Sequence, residues 1–367
     1  MCALYSQKNY RIRRRIIAGV ILLSLFGSIM VYSASAIYSW HSCGDSLYYF
    51  KRQIVALVIG LAVFFGFLFL DLDWLRRLSK PLIIAGLFML LLLLVPGVSK
   101  KIGGAKRWIS LGFFNIQPSE VFKVFFLVYL SDYLCRKKYV LRNFYKGLLP
   151  VFLITGFASA LIFLEPDLGN ALFIMLFMFV FLFVSGVNLK KFLPILALLA
   201  VLVGGLILLS PYRRQRVFTF LNPWADIKGK GFQAVESQIS FGVGRIFGTG
   251  LGAGKQKLFF LPASYTDFIF SIIGEELGLV GSLAVVLFYV WFLFSSFRLI
   301  NSVSDDFRFY LASGAVFIIV TQAFINMAVA VGLLPTKGLP LPFISYGGSA
   351  MLVNYSLLGI LVKSTQE

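Results

Sequence analysis

Ten apolar segments recur along the chain, and they restrict its fold more than any other feature of the sequence. A bilayer's hydrocarbon core is about 30 Å thick, so a helix that crosses it needs about 20 apolar residues. By that criterion the candidate spans are approximately 16–36, 53–71, 81–97, 119–135, 147–164, 170–187, 192–210, 267–297, 309–332 and 346–363. The 367 residues are 59% hydrophobic and 13% charged, which excludes a water-soluble fold. We therefore expect an all-α, polytopic integral membrane protein with about ten transmembrane helices in a single membrane domain, residues 1–367.

Lysine and arginine are distributed unequally between the alternate loops, and this asymmetry predicts the orientation in the membrane. One set carries 18 of these residues and comprises 1–15, 72–80, 136–146, 188–191, 298–308 and 363–367. The short loops of the other set carry 7 and comprise 37–52, 98–118, 165–169 and 333–345. Because basic loops stay in the cytoplasm, both termini are predicted to be cytoplasmic.

The long loop over residues 211–266, between the seventh and eighth spans, lies on the outer side in this orientation. It carries eight lysines and arginines but only two carboxylates, Asp226 and Glu236. A basic outer surface indicates an anionic partner. Two interpretations stay open: attraction to anionic lipid headgroups in general, or a bound diphosphate, for which arginine offers fork-shaped donors. Arg213 and Arg216 are the candidate residues for the second interpretation.

Glycine and proline are concentrated in three stretches: NPWADIKGKGF (222–232), GVGRIFGTGLGAGK (242–255) and LLPTKGLPLPFISYGGSA (333–350). Several of these stretches are too apolar for a free loop in water, so we expect short re-entrant or interfacial pieces that line a cavity. The spacing of a nucleotide-binding P-loop is absent, which favours turn-rich loops over a nucleotide site.

Ionisable residues inside the predicted helices are few, and each costs roughly 2.5–3.5 kcal/mol at mid-membrane unless it is paired or hydrated. Glu120 and Lys123 are three residues apart, so they share a helical face and can pair. Asp267 lies at the start of the eighth span, with Glu275 and Glu276 about 12–13 Å further along. These residues either share a polar cavity or form buried pairs that fix helix packing.

Other polar residues favour structural interpretations. Gln322, Asn326 and Asn354 are predicted to form interhelical hydrogen bonds. Cys2, Cys43 and Cys135 have no paired spacing, and His41 is the single histidine of the sequence, so no His/Cys metal cluster is predicted.

Five stretches together resemble the SEDS family (shape, elongation, division and sporulation proteins). They are GGAKRWISLGFFNIQPSEVFK (103–123), EPDLGNA (165–171), YRRQRVFTFLNPWAD (212–226), LPASYTDFIFSIIGEELGLVG (261–281) and GLPLPFISYGGSAMLVN (338–354). The resemblance extends in order along nearly the whole chain. NPWAD, together with GLGAGKQKLFFLP (250–262), is more similar to the division-type FtsW branch than to the elongation-type RodA branch.

The resemblance implies a glycosyltransferase that polymerises the peptidoglycan precursor lipid II at the outer face of the bacterial cytoplasmic membrane. It implies a class B penicillin-binding transpeptidase and other division membrane proteins as partners at the septum, and no nucleic acid. The family's essential loop aspartate corresponds to Asp267, its membrane glutamate and lysine to Glu120 and Lys123, and its carboxylate pair to Glu275 and Glu276. The family commonly has histidine where this chain has Tyr265, which argues against a histidine proton relay here.

Glycan polymerisation needs a base that deprotonates the acceptor sugar's 4-hydroxyl as it attacks the donor's anomeric carbon. Asp267 is the predicted base, because burial near apolar walls raises a carboxyl pKa towards a useful range. Lys123, the loop arginines or a divalent cation such as Mg²⁺ or Mn²⁺ can stabilise the departing diphosphate. Glu275 and Glu276 are predicted to form the polar floor of the cavity, with Glu120 holding Lys123. An α-linked donor and a β-linked product imply a single inverting displacement.

Three alternatives remain at this level. Carboxylates within the membrane also suit a transporter that flips lipid II, although no inverted repeat is visible in the sequence. An elongation-type, RodA-like polymerase has the same chemistry at a different place in the cell. A division scaffold that only binds the transpeptidase needs no catalytic base.

Overall fold

The computed structural model describes residues 2–102, 105–110, 112, 115–141, 143–188, 219–227, 229, 231–258 and 260–366, together with positions 197, 204, 205, 208 and 214. Within these ranges the chain is mostly helical, which confirms the expected fold class. The helices are α1 (Cys2–Cys43), α2 (Tyr48–Phe69), α3 (Leu72–Arg77), α4 (Ser79–Leu92), α5 (Pro118–Lys137), α6 (Leu149–Leu164), α7 (Leu168–Val184), α8 (Phe232–Gly244), α9 (Ile269–Ile300), α10 (Asp306–Ala330) and α11 (Gly348–Ser364). A π-helical turn, Phe144–Leu148, precedes α6, and a 3₁₀ turn, Pro223–Asp226, precedes α8.

Five helical segments are long and apolar enough to cross a membrane: Gln7–Cys43, Tyr48–Phe69, Phe144–Leu164, Ile269–Ile300 and Asp306–Ala330. The shorter apolar helices α4 and α7, with α5 and α11, coincide with four further predicted spans. The predicted span 192–210 lies almost entirely outside the described residues. The predicted span 267–297 begins two residues too early, because Asp267 and Phe268 precede the first helical residue of α9.

A small three-stranded antiparallel sheet accompanies the helices. Its strands are β1 (Ser99–Ile102), β2 (Ala105–Ser110) and β3 (Asn115–Ile116), in the order β1-β2-β3. The sheet lies in the loop between α4 and α5, and β3 leads directly into Pro118, the first residue of α5. Proline fits this position because its missing N–H has no helical partner there. The sheet thus carries β2 to the end of the bundle where α5 begins.

Helix α9 is interrupted at Gly278, whose backbone angles are φ 66° and ψ −160°. The chain that follows α8 fills the break, since the Arg245 and Ile246 carbonyls accept hydrogen bonds from Leu279 and Val280 N–H at 2.9 and 3.2 Å. On the other side of the break, Thr249 N–H donates to the Glu275 carbonyl at 2.9 Å. Residues 245–255 are thus non-helical and bound to α9, while the predicted lining of a cavity by this stretch stays a prediction.

Aromatic side chains from α5, α7 and α10 form the centre of the bundle. Phe126 and Phe177 contact edge to face with ring centroids 5.8 Å apart, and Phe177 lies 4.5 Å from Phe181 and 5.6 Å from Phe317. Stacked and edge-on rings at these separations pack favourably. The resulting core runs beside the polar residues of α5 and α10 and fixes the spacing of these two helices.

Candidate functional site

Asp267 lies at the end of the bundle where α9 begins, and its side chain is half-buried. Its carbonyl oxygen accepts a hydrogen bond of 2.8 Å from Asn326 Nδ2 on α10. The preceding carbonyl, of Thr266, accepts one of 2.6 Å from the Ser345 hydroxyl. A Cβ at Gly338 would lie 3.2 Å from Asp267 Oδ2, so glycine at that position leaves space beside the carboxylate. The backbone around Asp267 is therefore tied to both α10 and the segment 338–346.

Two amide side chains on α10, one helical turn apart, hold that segment in place. Gln322 Nε2 donates to the Pro340 carbonyl at 3.1 Å, and Asn326 Nδ2 donates to the Leu339 carbonyl at 2.7 Å. These amides are predicted to form interhelical hydrogen bonds, and Gln322 accepts one from Lys123 on α5. Both amides also donate to backbone carbonyls of the site. Because Asn326 also binds the Asp267 carbonyl, one helix sets the distance between Asp267 and the proline-rich segment.

Glu120 and Lys123 form the predicted pair, with Lys123 Nζ 2.7 Å from Glu120 Oε1. Lys123 Nζ also donates to Gln322 Oε1 at 3.0 Å and lies 5.2 Å from the centroid of the Phe173 ring. Lys123 is only 1% exposed, so its charge depends on these partners. Gln322 also binds the Pro340 carbonyl, so the Glu120–Lys123 pair is connected to the segment 338–346. Asn326 connects the same segment to Asp267.

A second group of charged residues lies at the same end of the bundle. Arg107 on β2 donates from Nε to the Glu165 carbonyl at 3.0 Å and from Nη2 to the Pro166 carbonyl. Asp167 caps α7, accepting from Asn170 N–H at 3.2 Å. Both carboxylate oxygens of Glu165 are buried without a hydrogen-bond partner among the described residues. The α6–α7 turn thus brings two carboxyl groups and a guanidinium together.

Lys337 adds a further cation to this group. A Cβ at Gly169 would lie 3.7 Å from Lys337 Cδ and 3.6 Å from Asp167 Oδ1, so both side chains flank this glycine. Within the described part of the chain, Lys337 Nζ makes no hydrogen bond or ion pair. The next residue, Gly338, lies beside Asp267, so Lys337 belongs to the segment that runs from the α6–α7 turn to Asp267.

Burial shifts the pKa of three of these groups, all outside the spanning helices. It raises the pKa of Asp267 to about 7, against the lowering effect of Arg107 and with a further increase from Asp167. Burial and then Asp167 raise the pKa of Glu165 to about 8, while Arg107 opposes them. Burial lowers the pKa of Lys337, although Asp167 acts in the opposite direction. Near neutral pH, Asp267 can therefore both accept and release a proton.

Helices α5, α7, α9 and α11 all begin at this end of the bundle. The N-terminal region of α5 joins two of the others, because Gln117 N–H donates to Ser349 Oγ at 3.0 Å and Gln117 Nε2 to Asp167 Oδ2 at 3.5 Å. Helix N-termini carry partial positive charge and favour anions. They add to the positive potential of Arg107 and Lys337.

Glu275 and Glu276 lie about two turns further along α9 than Asp267, with carboxylates bound to the loop that follows α8. Glu275 Oε1 accepts from the N–H groups of Lys255 and Gln256 at 2.6 and 3.2 Å. Glu276 Oε1 forms an ion pair of 2.6 Å with Lys257. The structure therefore connects Asp267 with Glu120 and Lys123, but gives this pair of glutamates loop partners of their own. Their substrate-binding role stays a prediction.

Tyr265 is packed into a cluster of tyrosines next to Asp267. Its ring centroid lies 4.6 Å from Tyr49, 5.7 Å from Tyr38 and 5.8 Å from Tyr346. Burial raises the pKa of Tyr265. At neutral pH the phenol keeps its proton, and its ring supports the loop that carries Asp267.

Sequence reasoning missed four charged residues of the site: Arg107, Glu165, Asp167 and Lys337. The available signal was two carboxylates in a very short turn between apolar helices, and a single lysine in a proline-rich loop. The predicted binding residues Arg213 and Arg216 lie outside the described residues. Among the residues that are described, no three His, Cys, Asp or Glu side chains are grouped as a metal site requires.

The fold and the site together define a multi-pass membrane protein with a half-buried carboxylate and several cations at one end of its helical core. The sequence profile of the FtsW/RodA/SpoVE family, described as a cell cycle protein, matches residues 13–367. The chain belongs to this family.

Curated relatives share about two-fifths of their residues with this chain. A protein of Thioalkalivibrio sulfidiphilus named probable peptidoglycan glycosyltransferase FtsW is 42% identical, over 98% of this chain and 92% of its own length. A protein of Nitrosomonas europaea with the same name is 38% identical, over 96% of this chain and 92% of its own length.

Solved structures share the fold. A chain from work on structural coordination of polymerization and crosslinking by a peptidoglycan synthase complex superimposes with a TM-score of 0.78 at 31% identity, over 95% of this chain and 96% of that chain. The rod shape determining protein RodA of Thermus thermophilus gives a TM-score of 0.70 at 28% identity, over 95% of both chains.

Proposed function

We propose that the protein is a peptidoglycan glycosyltransferase that polymerises lipid II, with Asp267 as the general base. The observation that carries the proposal is the half-buried Asp267, with a pKa raised to about 7, in a chain 42% identical to a relative named as such an enzyme. The FtsW name of that relative favours the division branch over the elongation branch.

In the reaction, Asp267 takes the proton of the acceptor's 4-hydroxyl while the oxygen attacks the donor's anomeric carbon. The bond from that carbon to the diphosphate breaks, and the configuration at the carbon inverts. A base is most effective when its pKa is near the working pH, and such assistance supplies about 100-fold to 10,000-fold in rate. The hydrogen bonds from Asn326 and Ser345 hold the backbone on each side of the carboxylate-bearing residue during this step.

Positive charge at the site favours the departing diphosphate. Lys123, Arg107 and Lys337 supply such charge, and the helix N-termini add to them. Glu165, whose pKa is raised to about 8, is largely protonated at pH 7 and so repels the diphosphate little. Arg213, Arg216 and Glu275 keep their predicted role as further substrate contacts. The carboxylate of Glu276, also predicted as a substrate contact, is bound by Lys257 and Ser33.

A divalent cation such as Mg²⁺ or Mn²⁺ fits this site only in part. The described residues offer no group of three protein ligands. Mg²⁺ commonly binds through one or two carboxylates together with substrate phosphates and water. Asp167 is the carboxylate that would hold such a cation, because Asp267 acts as the base, and the cation would supply neutralisation of the diphosphate.

The proposed setting is the bacterial cytoplasmic membrane at the division septum, with both termini in the cytoplasm. The charge asymmetry of the loops supports this orientation, with Asp267 at the outer face. The proposed partner is a class B penicillin-binding transpeptidase. The similarity to a chain from a peptidoglycan synthase complex supports such a partner.

Reconstitution tests this proposal against its alternatives. The purified protein and its transpeptidase partner in liposomes are supplied with lipid II, and glycan chain length and lipid II flipping are measured in parallel. We expect long strands and no protein-dependent flipping. Flipping without strands would indicate the transporter. If the protein shows neither activity, the scaffold is the interpretation that remains.

Localisation of the tagged protein to midcell supports the division role, whereas localisation along the sidewall contradicts it.

A further inference from the structure

A buried ion pair joins the glycine-rich loop to helix α9 and to helix α1. Lys257 Nζ lies 2.6 Å from Glu276 Oε1 and also donates to the Gly252 carbonyl at 2.7 Å. Ser33 on α1 donates to both oxygens of Glu276, at 2.7 and 2.8 Å. Lys257 is 6% exposed and Glu276 is fully buried, so neither charge is solvated by bulk water. Removing one partner would leave the other charge uncompensated.

The position of this pair along the chain relates it to Asp267. Asp267 is ten residues after Lys257 and nine before Glu276, so the ion pair closes the loop that carries the carboxylate. Glu275 strengthens the same closure through the N–H groups of Lys255 and Gln256.

The rest of the loop is held at its far end. Asp267 and Thr266 are bound through their carbonyls to Asn326 and Ser345, as described above. The ion pair is thus the fixed point at the base of the loop, and the α10 contacts are the fixed point at its tip. Without the ion pair, the loop would be held only through the two backbone carbonyls at its tip, which leaves the Asp267 side chain less restrained.

We propose that Lys257 and Glu276 are positioning residues that clamp the base of the loop and hold Asp267 where it reacts. This inference rests on the proposed function, in which Asp267 is the base. A displacement of about 1 Å at a reacting group can cost about 100-fold in rate. The pair therefore acts on turnover through Asp267 and does not itself contact the substrate.

Three variants test the clamp: Lys257→Met, Glu276→Gln and the two combined. We expect each single variant to lower kcat about 10-fold to 100-fold, with KM for lipid II nearly unchanged. The double variant should lose no more than either single one, because the pair acts as a unit. The matched control is Lys138→Met, which breaks an exposed ion pair of 2.7 Å with Asp306 and should leave kcat unchanged.

The pH profile supplies a readout that a loss of folded protein alone would not move. Asp267, which faces Arg107 and Asp167, becomes more hydrated when the clamp is open, so its pKa falls from about 7 towards the ordinary value. The base works when ionised, and activity is lost as pH falls through its pKa. The acid limb of the kcat profile should therefore move to lower pH in Lys257→Met, and Lys257→Arg should restore it.

The clamp is wrong if the Lys257 and Glu276 variants keep the wild-type kcat and acid limb, or if KM alone increases. If Lys257→Met does not fold, Ser33→Ala keeps both charges and removes one partner of Glu276. A several-fold lower kcat with a lowered acid limb then supports the clamp, and wild-type behaviour contradicts it. An inactive wild-type protein would instead contradict the proposed function.

Discussion

At the scale of single residues, Lys123 is a buried cation with two side-chain partners. Its ammonium group is shared between the Glu120 carboxylate and the Gln322 amide, inside the helical core. Packing alone would favour an apolar residue at such a depth, because a buried ion pair stabilises the fold little more than hydrophobic residues of similar volume do. We therefore expect the charge to serve the site, and Gln322 connects it to the Pro340 carbonyl.

Replacement of Lys123 by methionine keeps the length of the side chain and removes the charge. We expect polymerisation to fall about 100-fold or more, since a charge that stabilises the leaving diphosphate is lost. The single variant also leaves Glu120 unpaired and should lower the melting temperature. The double variant Lys123→Met, Glu120→Gln should recover the melting temperature but not the activity. Normal polymerisation by either variant would show that the Lys123 charge is not needed for the reaction.

Arg107 offers a test of the electrostatics around Asp267. It lowers the pKa of Asp267 against the effect of burial, so Arg107→Gln should raise that pKa further above about 7. Because the ionised carboxylate is the base, the acid limb of the kcat/KM profile should move to higher pH. An acid limb that stays in place or moves to lower pH would contradict the proposed effect of Arg107 on the pKa of Asp267.

At the scale of elements, apolar length was sufficient to predict most helices, and it failed where the backbone depends on tertiary contacts. The stretch IIGEELGLVG (272–281) has the composition of a continuous helix, yet α9 is interrupted at Gly278. The interruption requires hydrogen bonds from residues 245–250, which no local pattern reveals. Glu120 and Lys123 were predicted as a pair because three-residue spacing is local, whereas Arg107, Asp167 and Lys337 meet only in three dimensions.

Gly278 provides a test of the interrupted helix. Its φ of 66° disfavours other residues, and a Cβ would overlap the backbone nitrogen of Gly248. Gly278→Ala should destabilise the protein by about 1–3 kcal/mol, measured as a lower melting temperature in detergent. Gly156→Ala on α6 is the control, because no atom lies within 4 Å of its added Cβ. Equal melting temperatures for the two variants would contradict the left-handed, closely packed backbone at Gly278.

At the scale of the whole molecule, the orientation determines whether Asp267 faces the lipid-linked donor outside the cell. The four helices that begin at the site must start on the outer side for the proposal to hold. Short-loop charges predict this arrangement. Polar groups at one end of the core fit chemistry at one membrane face better than transport across both.

Cys43 reports the orientation directly, because it is exposed and is the last residue of α1, next to the turn that leads to α2. A membrane-impermeant maleimide added to intact spheroplasts should label the protein, and Cys43→Ser should abolish the labelling. Labelling that requires permeabilised cells would place this turn, and the site with it, on the cytoplasmic side.

Asp267→Asn measures the central claim most directly, because it preserves the size of the side chain and removes the proton acceptor. The variant is reconstituted with the transpeptidase partner and lipid II, and the rate of strand formation per folded molecule is compared with that of the wild type. We predict a loss of about 100-fold to 10,000-fold, with lipid II binding, partner association and membrane insertion retained. Long strands formed by Asp267→Asn at the wild-type rate would contradict the assignment of Asp267 as the base.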